Sequence, residues 1–99
     1  GIDEAQFFDD SLPSIATQLA NKNKIVYIAG LDLDAKGKPF GPMPYLLALA
    51  ENVIKLKAVC AITGDPATFT YRKTDQKEQI VVGAQEIYEA RNRKSFFNL

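Results

Sequence analysis

Gly1-Ile2-Asp3-Glu4-Ala5-Gln6-Phe7-Phe8 is the stretch on which the reading of this chain turns. An apolar residue followed directly by Asp-Glu is what a strand carries where it ends against the phosphates of a nucleotide. The Asp holds Mg²⁺, usually through water, and the neighbouring acid handles a proton. Working outward, residues 11–22 have Leu12, Ile15, Ala16 and Leu19 at helical spacing on one face. Ser11 suits an N-cap, Pro13 is tolerated in a first turn, and Asn21-Lys22-Asn23 stops the helix. Residues 24–31, Lys-Ile-Val-Tyr-Ile-Ala-Gly-Leu, form a continuous apolar, β-branched run that suits a buried parallel strand. Strand, helix and strand make a βαβ unit with a right-handed crossover. Ligands bind such units beyond the carboxyl ends of the strands, where Asp3-Glu4 and Gly30-Leu31-Asp32 fall.

Further along, Gly37, Pro39, Gly41, Pro42 and Pro44 make residues 33–44 a loop. Residues 45–52 read as a helix, residues 53–62 as a strand, and Gly64-Asp65-Pro66 as a turn. Residues 67–71 and 79–82 read as short strands joined by the polar stretch 72–78, and residues 84–94 as a charged terminal helix. The phosphate-binding signature G-x-x-x-x-G-K-[ST] does not occur in the 99 residues. The expected fold is therefore α/β, the carboxyl-terminal part of a RecA-like P-loop NTPase parallel sheet. Residues 1–59 would form a partial nucleotide-kinase core, and residues 60–99 a small subdomain with a terminal helix. Such a sheet lacks strands, so an apolar edge and face should be left uncovered.

Twelve Lys+Arg balance twelve Asp+Glu, which gives no electrostatic pull toward nucleic acid or a membrane surface. Arg91, Arg93 and Lys94 read as a solvated helix end. No apolar run approaches the roughly 20 residues that span a bilayer. A single cysteine, Cys60, is compatible with a reducing compartment, and a cytoplasmic location is expected. Zinc would need further Cys or His beside it, and Thr63 stands where a C-x-x-C would close. Cys60 therefore reads as a buried free thiol. Phe7 and Phe40 are either core residues or a stacking surface for a planar base, since each lies just beyond a predicted strand end. Gly83, after Gln79-Ile-Val-Val, marks either an ordinary edge strand or a close backbone approach to a ligand.

Several blocks, taken in order, carry a resemblance. They are Gly-Ile-Asp-Glu-Ala-Gln-Phe-Phe (1–8), Gly-Leu-Asp (30–32), Lys-Pro-Phe-Gly-Pro-Met-Pro (38–44), Lys-Leu-Lys-Ala-Val-Cys (55–60) and Gly-Ala-Gln-Glu-Ile-Tyr-Glu-Ala-Arg (83–91). Together they closely resemble the thymidine kinases of the cytosolic, type II family, over the carboxyl-terminal part of such an enzyme. The resemblance implies transfer of the γ-phosphoryl group of ATP to the 5′-hydroxyl of thymidine, with Mg²⁺, in a homotetramer. It implies that Glu4 is the general base and Asp3 the magnesium-site carboxylate. Phe7, Leu31 and Phe40 would line the thymine pocket, and Tyr88 would close on the nucleoside. Val82 and Gly83 would offer backbone groups to the base, and Arg72 would begin the substrate-covering loop, the lasso of this family.

Two departures from the family bear on these expectations. Of four family zinc positions only Cys60 is retained, with Thr63, Asn92 and Ser95 at the other three, so no structural zinc is expected. Ala35 stands where many bacterial members have an aromatic, which removes one wall of the pocket. Without the phosphate-binding loop, the chain is expected to be inactive alone. The alternative reading is a non-catalytic fragment or degenerate nucleoside-binding module of the same family.

Overall fold

The computed structural model describes residues 1–73 and 87–99. The chain divides into two compact units, Gly1–Asp32 with Pro39–Val53, and Leu33–Lys38 with Ile54–Leu99.

In the first unit the extended start of the chain lies parallel to the run at 24–31, through a bridge between Ile2 and Ile28. Ile2 N–H donates to the Tyr27 carbonyl at 2.8 Å, and Ala29 N–H donates to the Ile2 carbonyl at 2.9 Å. The direction of pairing is the one the βαβ reading requires. Its extent is smaller than a RecA-like sheet: the parallel contact among the described residues is this one bridge, and both named sheets are antiparallel. Beyond the bridge, Ala5 N–H donates to the Ala29 carbonyl at 3.0 Å, after the chain has turned at Glu4. Between the two extended segments runs helix α1, Leu12–Asn21. It buries Leu12 and Ala16, while Ile15 and Leu19 of the predicted face stay partly exposed. Ser11 is the N-cap residue but makes no side-chain cap bond. Its hydroxyl and N–H both donate to Asp9 Oδ1, two residues back, which competes with capping. Asn23 adopts a left-handed backbone (φ 62°) at the other end, and Lys24 N–H returns to the Leu19 carbonyl. Helix α2 spans Met43–Leu49, starting earlier than expected, because Pro42 and Pro44 fit a first turn where N–H groups have no partner anyway. Ala5, Leu12, Ala16, Met43 and Leu46 form the core, with Ile2, Val26 and Ile28 against it.

The second unit is built on two short hairpins. Strand β1 (Ala58–Val59) pairs antiparallel with β2 (Pro66–Ala67), so the strand expected over 53–62 shrinks to two residues. Strand β3 (Phe69–Arg72) pairs antiparallel with β4 (Tyr88–Arg91), with Phe69 opposite Arg91 and Arg72 opposite Tyr88. The helix expected over 84–94 does not include residues 88–91, which form strand β4 instead. Tyr88, Glu89, Ala90 and Arg91 alternate across the ribbon and satisfy their backbone on β3. Helix α3, Arg93–Phe97, starts only after Asn92, whose side-chain oxygen accepts from Ser95 N–H. The expected strand at 79–82 and the first residues of that helix lie outside the described residues. Phe69, Phe96 and Phe97 pack as an aromatic cluster, Phe69 and Phe96 stacked at 4.9 Å. In the loop Leu33–Lys38, Asp34 is buried and its Oδ1 accepts from the N–H groups of Lys36 and Lys38.

Candidate functional site

In the first unit the strand end at Ile2 turns into a short 3₁₀ helix, Ala5–Phe7. Glu4 makes the turn with a left-handed backbone, φ 54° and ψ 40°. A non-glycine residue there carries about 1–2 kcal/mol of strain, and such outliers collect at functional positions. Asp3 and Glu4 are both exposed. Asp3 Oδ1 accepts from Glu4 N–H at 2.8 Å, and Glu4 Oε2 accepts from Gln6 Nε2 at 3.3 Å. Asp3 also lines an open cavity of about 440 Å³ with Gly1, Ile2, Tyr27, Ile28 and Ala29. Two adjacent, accessible carboxylates are the hard oxygen donors that Mg²⁺ takes alongside nucleotide phosphates, so the residues fit that ion.

Gln6 is the residue that sequence reasoning passed over. It is 2% exposed, and its amide joins two candidate residues: Nε2 donates to Glu4, and Oε1 accepts from Leu31 N–H at 3.1 Å. Two glycines make room for it. A Cβ on Gly30 would stand 2.9 Å from Gln6 Oε1 and from Met43 Sδ. A Cβ on Gly41, at φ +51°, would stand 2.5 Å from the Gln6 carbonyl oxygen. The available signal was a lone amide between Ala5 and Phe7 with glycines at both following loop ends. Polar residues inside a core are held by specific bonds.

Beside Gln6, Phe7 meets Phe40 edge to face, 5.7 Å between centroids at 89°. Phe40 is buried and Phe7 half-exposed, so one ring anchors the other. Phe40 N–H donates to the Asp32 carbonyl at 2.9 Å, tying the loop after Pro39 to the strand end that carries Leu31. Asp3, Glu4, Phe7, Leu31 and Phe40 thus all gather at one end of the parallel pair, where the βαβ reading places ligands.

Arg72 and Tyr88 lie in the second unit, opposite one another across the β3–β4 ribbon. The Arg72 guanidinium stands 5.7 Å from the Tyr88 ring centroid. Val82 and Gly83 fall outside the described residues. Cys60, Thr63, Asn92 and Ser95 are linked in sequence. Asn92 Nδ2 donates to Thr63 Oγ1 at 3.1 Å, Ser95 N–H donates to Asn92 Oδ1 at 2.9 Å, and Thr63 Oγ1–H donates to the Cys60 sulfur. The turn between β1 and β2 is closed by Cys60 N–H to the Asp65 carbonyl and Gly64 N–H to the Cys60 carbonyl. One thiol with neutral hydroxyls and an amide does not make a zinc donor set. Among the described residues no cluster of three His, Cys, Asp or Glu could hold a metal. Burial pushes the Cys60 thiol up. The hydrogen bonds from the Thr63 side chain and the N–H groups of Asn92, Thr63 and Ile62 outweigh it, leaving the thiol lowered to about 6.

Residues 1–96 match the sequence model of the family described as Thymidine kinase. Over 96 residues, 97% of its length, the chain is 50% identical to the thymidine kinase of Rhodothermus sp. (strain ITI 518), covering 45% of that protein. It is 49% identical to the thymidine kinase of Bacteroides thetaiotaomicron, covering 48% of it. It is 51% identical to that of Bdellovibrio bacteriovorus, covering 47%. The chain spans about half the length of these curated relatives. With nearly every residue under one family's pattern and half of them shared with each of three members, this chain belongs to the thymidine kinase family.

Proposed function

We propose that the chain is the nucleoside-binding part of a thymidine kinase, which transfers the γ-phosphoryl group of ATP to the 5′-hydroxyl of thymidine. The observation that carries the reading is the Gln6 amide. It holds the Glu4 carboxylate and the Leu31 backbone in one frame beside the Phe7–Phe40 pair. Phe7, Leu31 and Phe40 bind the thymine ring by stacking and apolar contact. Glu4 takes the proton of the 5′-hydroxyl as its oxygen attacks the γ-phosphorus, and the phosphorus–oxygen bond to ADP breaks. Asp3 holds Mg²⁺, which neutralises phosphate charge when bound. Tyr88 and Arg72, with backbone groups at Val82 and Gly83, cover the nucleoside.

The same reading extends the Ile2–Ile28 bridge into a RecA-like parallel sheet, with residues 1–59 as the kinase core and residues 60–99 as the lasso subdomain. It assigns a homotetramer in the cytoplasm and no structural zinc. It assigns neither nucleic-acid nor membrane partners. The balanced charge supports the former. No helix among the described residues is long and apolar enough to cross a membrane.

The test places this chain in the matching residues of the Rhodothermus thymidine kinase and measures ATP-dependent phosphorylation of thymidine. The chimera should turn over, and Glu4→Gln within it should lose about 10²–10⁴-fold in kcat while keeping thymidine affinity. Near-normal turnover by Glu4→Gln removes the general-base role. A silent chimera that still binds thymidine leaves a binding module instead of a catalytic part.

A further inference from the structure

Arg91 ties together three elements of the second unit. Its guanidinium carbon lies 3.5 Å from the centroid of the Tyr71 ring on β3. Its Nε donates to Glu89 Oε2 on β4 at 3.3 Å, and its Nη1 donates to the Ser95 carbonyl of α3 at 3.3 Å. A planar guanidinium can stack by its face while donating from its edge; an ammonium cannot do both.

The position of these contacts matters more than their number. Directly opposed residues of an antiparallel pair share a face, and faces alternate along each strand. The register therefore puts Phe69, Tyr71, Glu89 and Arg91 on one face of the ribbon, and Arg72 with Tyr88 on the other. The ladder runs one step further, where Lys73 N–H donates to the Ile87 carbonyl at 2.8 Å. Two strands of four residues are marginal as an isolated ribbon. A ribbon of this kind that must present a side chain at a fixed angle needs bracing from its other face, and Arg91 supplies it.

We propose that Arg91 is a positioning residue for nucleoside binding: bracing β3 against β4 and α3, it fixes the ribbon from which Tyr88 meets the nucleoside. The proposal rests on the nucleoside reading of Tyr88 given above. It concerns a residue that touches no substrate.

The test titrates the 99-residue chain with thymidine by NMR. The same samples report amide exchange at Lys73 and Ala29. Arg91→Lys keeps the charge and loses the plane. It should weaken thymidine binding about tenfold and speed exchange at Lys73, leaving Ala29 in the first unit unchanged. Tyr71→Leu, which removes the other half of the stack, should do the same and serves if Arg91→Lys fails to fold. Tyr71→Phe keeps the ring and should behave as the parent. Faster exchange at Lys73 with unchanged thymidine affinity makes Arg91 a purely structural residue and overturns the proposal. So does parent-like behaviour of Arg91→Lys in both readouts. A parent chain that binds no thymidine is a separate result: it sinks the nucleoside reading, and Arg91's role in it, before any variant is compared.

Discussion

At the scale of single residues, the site is held by an amide and by two positions where a side chain would not fit. Gly41→Ala combines a left-handed backbone with a Cβ against the Gln6 carbonyl. It should cost about 3 kcal/mol, the sum of the left-handed penalty and overpacking, read as a fall in urea midpoint. Gln6→Ala leaves the Leu31 N–H without its acceptor and opens a small void. It should cost about 2–3 kcal/mol and broaden the resonances of Phe7 and Phe40. Glu4→Gly should act in the opposite sense. Relieving the turn at φ 54° should stabilise the fold by about 1 kcal/mol. A destabilised Glu4→Gly would mean that the bond from Gln6 to the Glu4 carboxylate outweighs the strain of the turn. That Asp3, Glu4, Phe7, Leu31 and Phe40 stand at strand ends or in the loops beyond them was legible in the sequence, while the roles assigned to them rest on the family resemblance. The place of Gln6 was not legible, because it depends on a bond to a residue 25 positions away.

Among the elements, α1 was legible because its stop and its apolar face are local signals. The strand–helix boundary at Asn92 was not, although the cap is also local. The charge-rich stretch 84–94 read as a helix, while pairing of Tyr88–Arg91 with a strand far back in the chain took those residues away from it. The cap from Asn92 to Ser95 fixes where the helix can begin. Asn92→Ala should therefore cost about 1–2 kcal/mol, more than an isolated cap, because it also releases Thr63. The turn carrying Cys60 makes its own prediction. A thiol lowered to about 6 in the fold, against about 8.5 in an unfolded chain, adds stability fully present above about pH 8.5. That contribution shrinks as pH falls and is gone below about pH 6. Under reducing conditions the urea midpoint should rise from pH 6 to 8.5, and Cys60→Ala should flatten the rise. An equal slope in the variant would assign the pH dependence to other groups.

For the molecule as a whole, large apolar side chains stand in solvent in both units, among them Ile25 at 81% and Leu56 at 87% exposure. Zero formal net charge gives no repulsion to offset them. The 99-residue chain should self-associate, and Ile25→Lys with Leu56→Lys should lower the mass measured by light scattering. An unchanged monomer mass in the parent would show that the exposed residues do not meet. The uncovered apolar surface was readable in advance from a buried-strand pattern with too few strands to bury it. By sequence the chain divides between residues 59 and 60, with the loop Leu33–Lys38 in the first part; the structure instead divides it so that this loop groups with residues that follow it much later, through contacts no local signal reveals. That division has a practical consequence. The backbone passes from one unit to the other three times, after Asp32, after Lys38 and after Val53. A cut after Val53 frees the first unit with the loop Leu33–Lys38 still attached, whereas a piece beginning at Ile54 leaves part of its own fold behind. The second unit therefore has to be studied in the one chain.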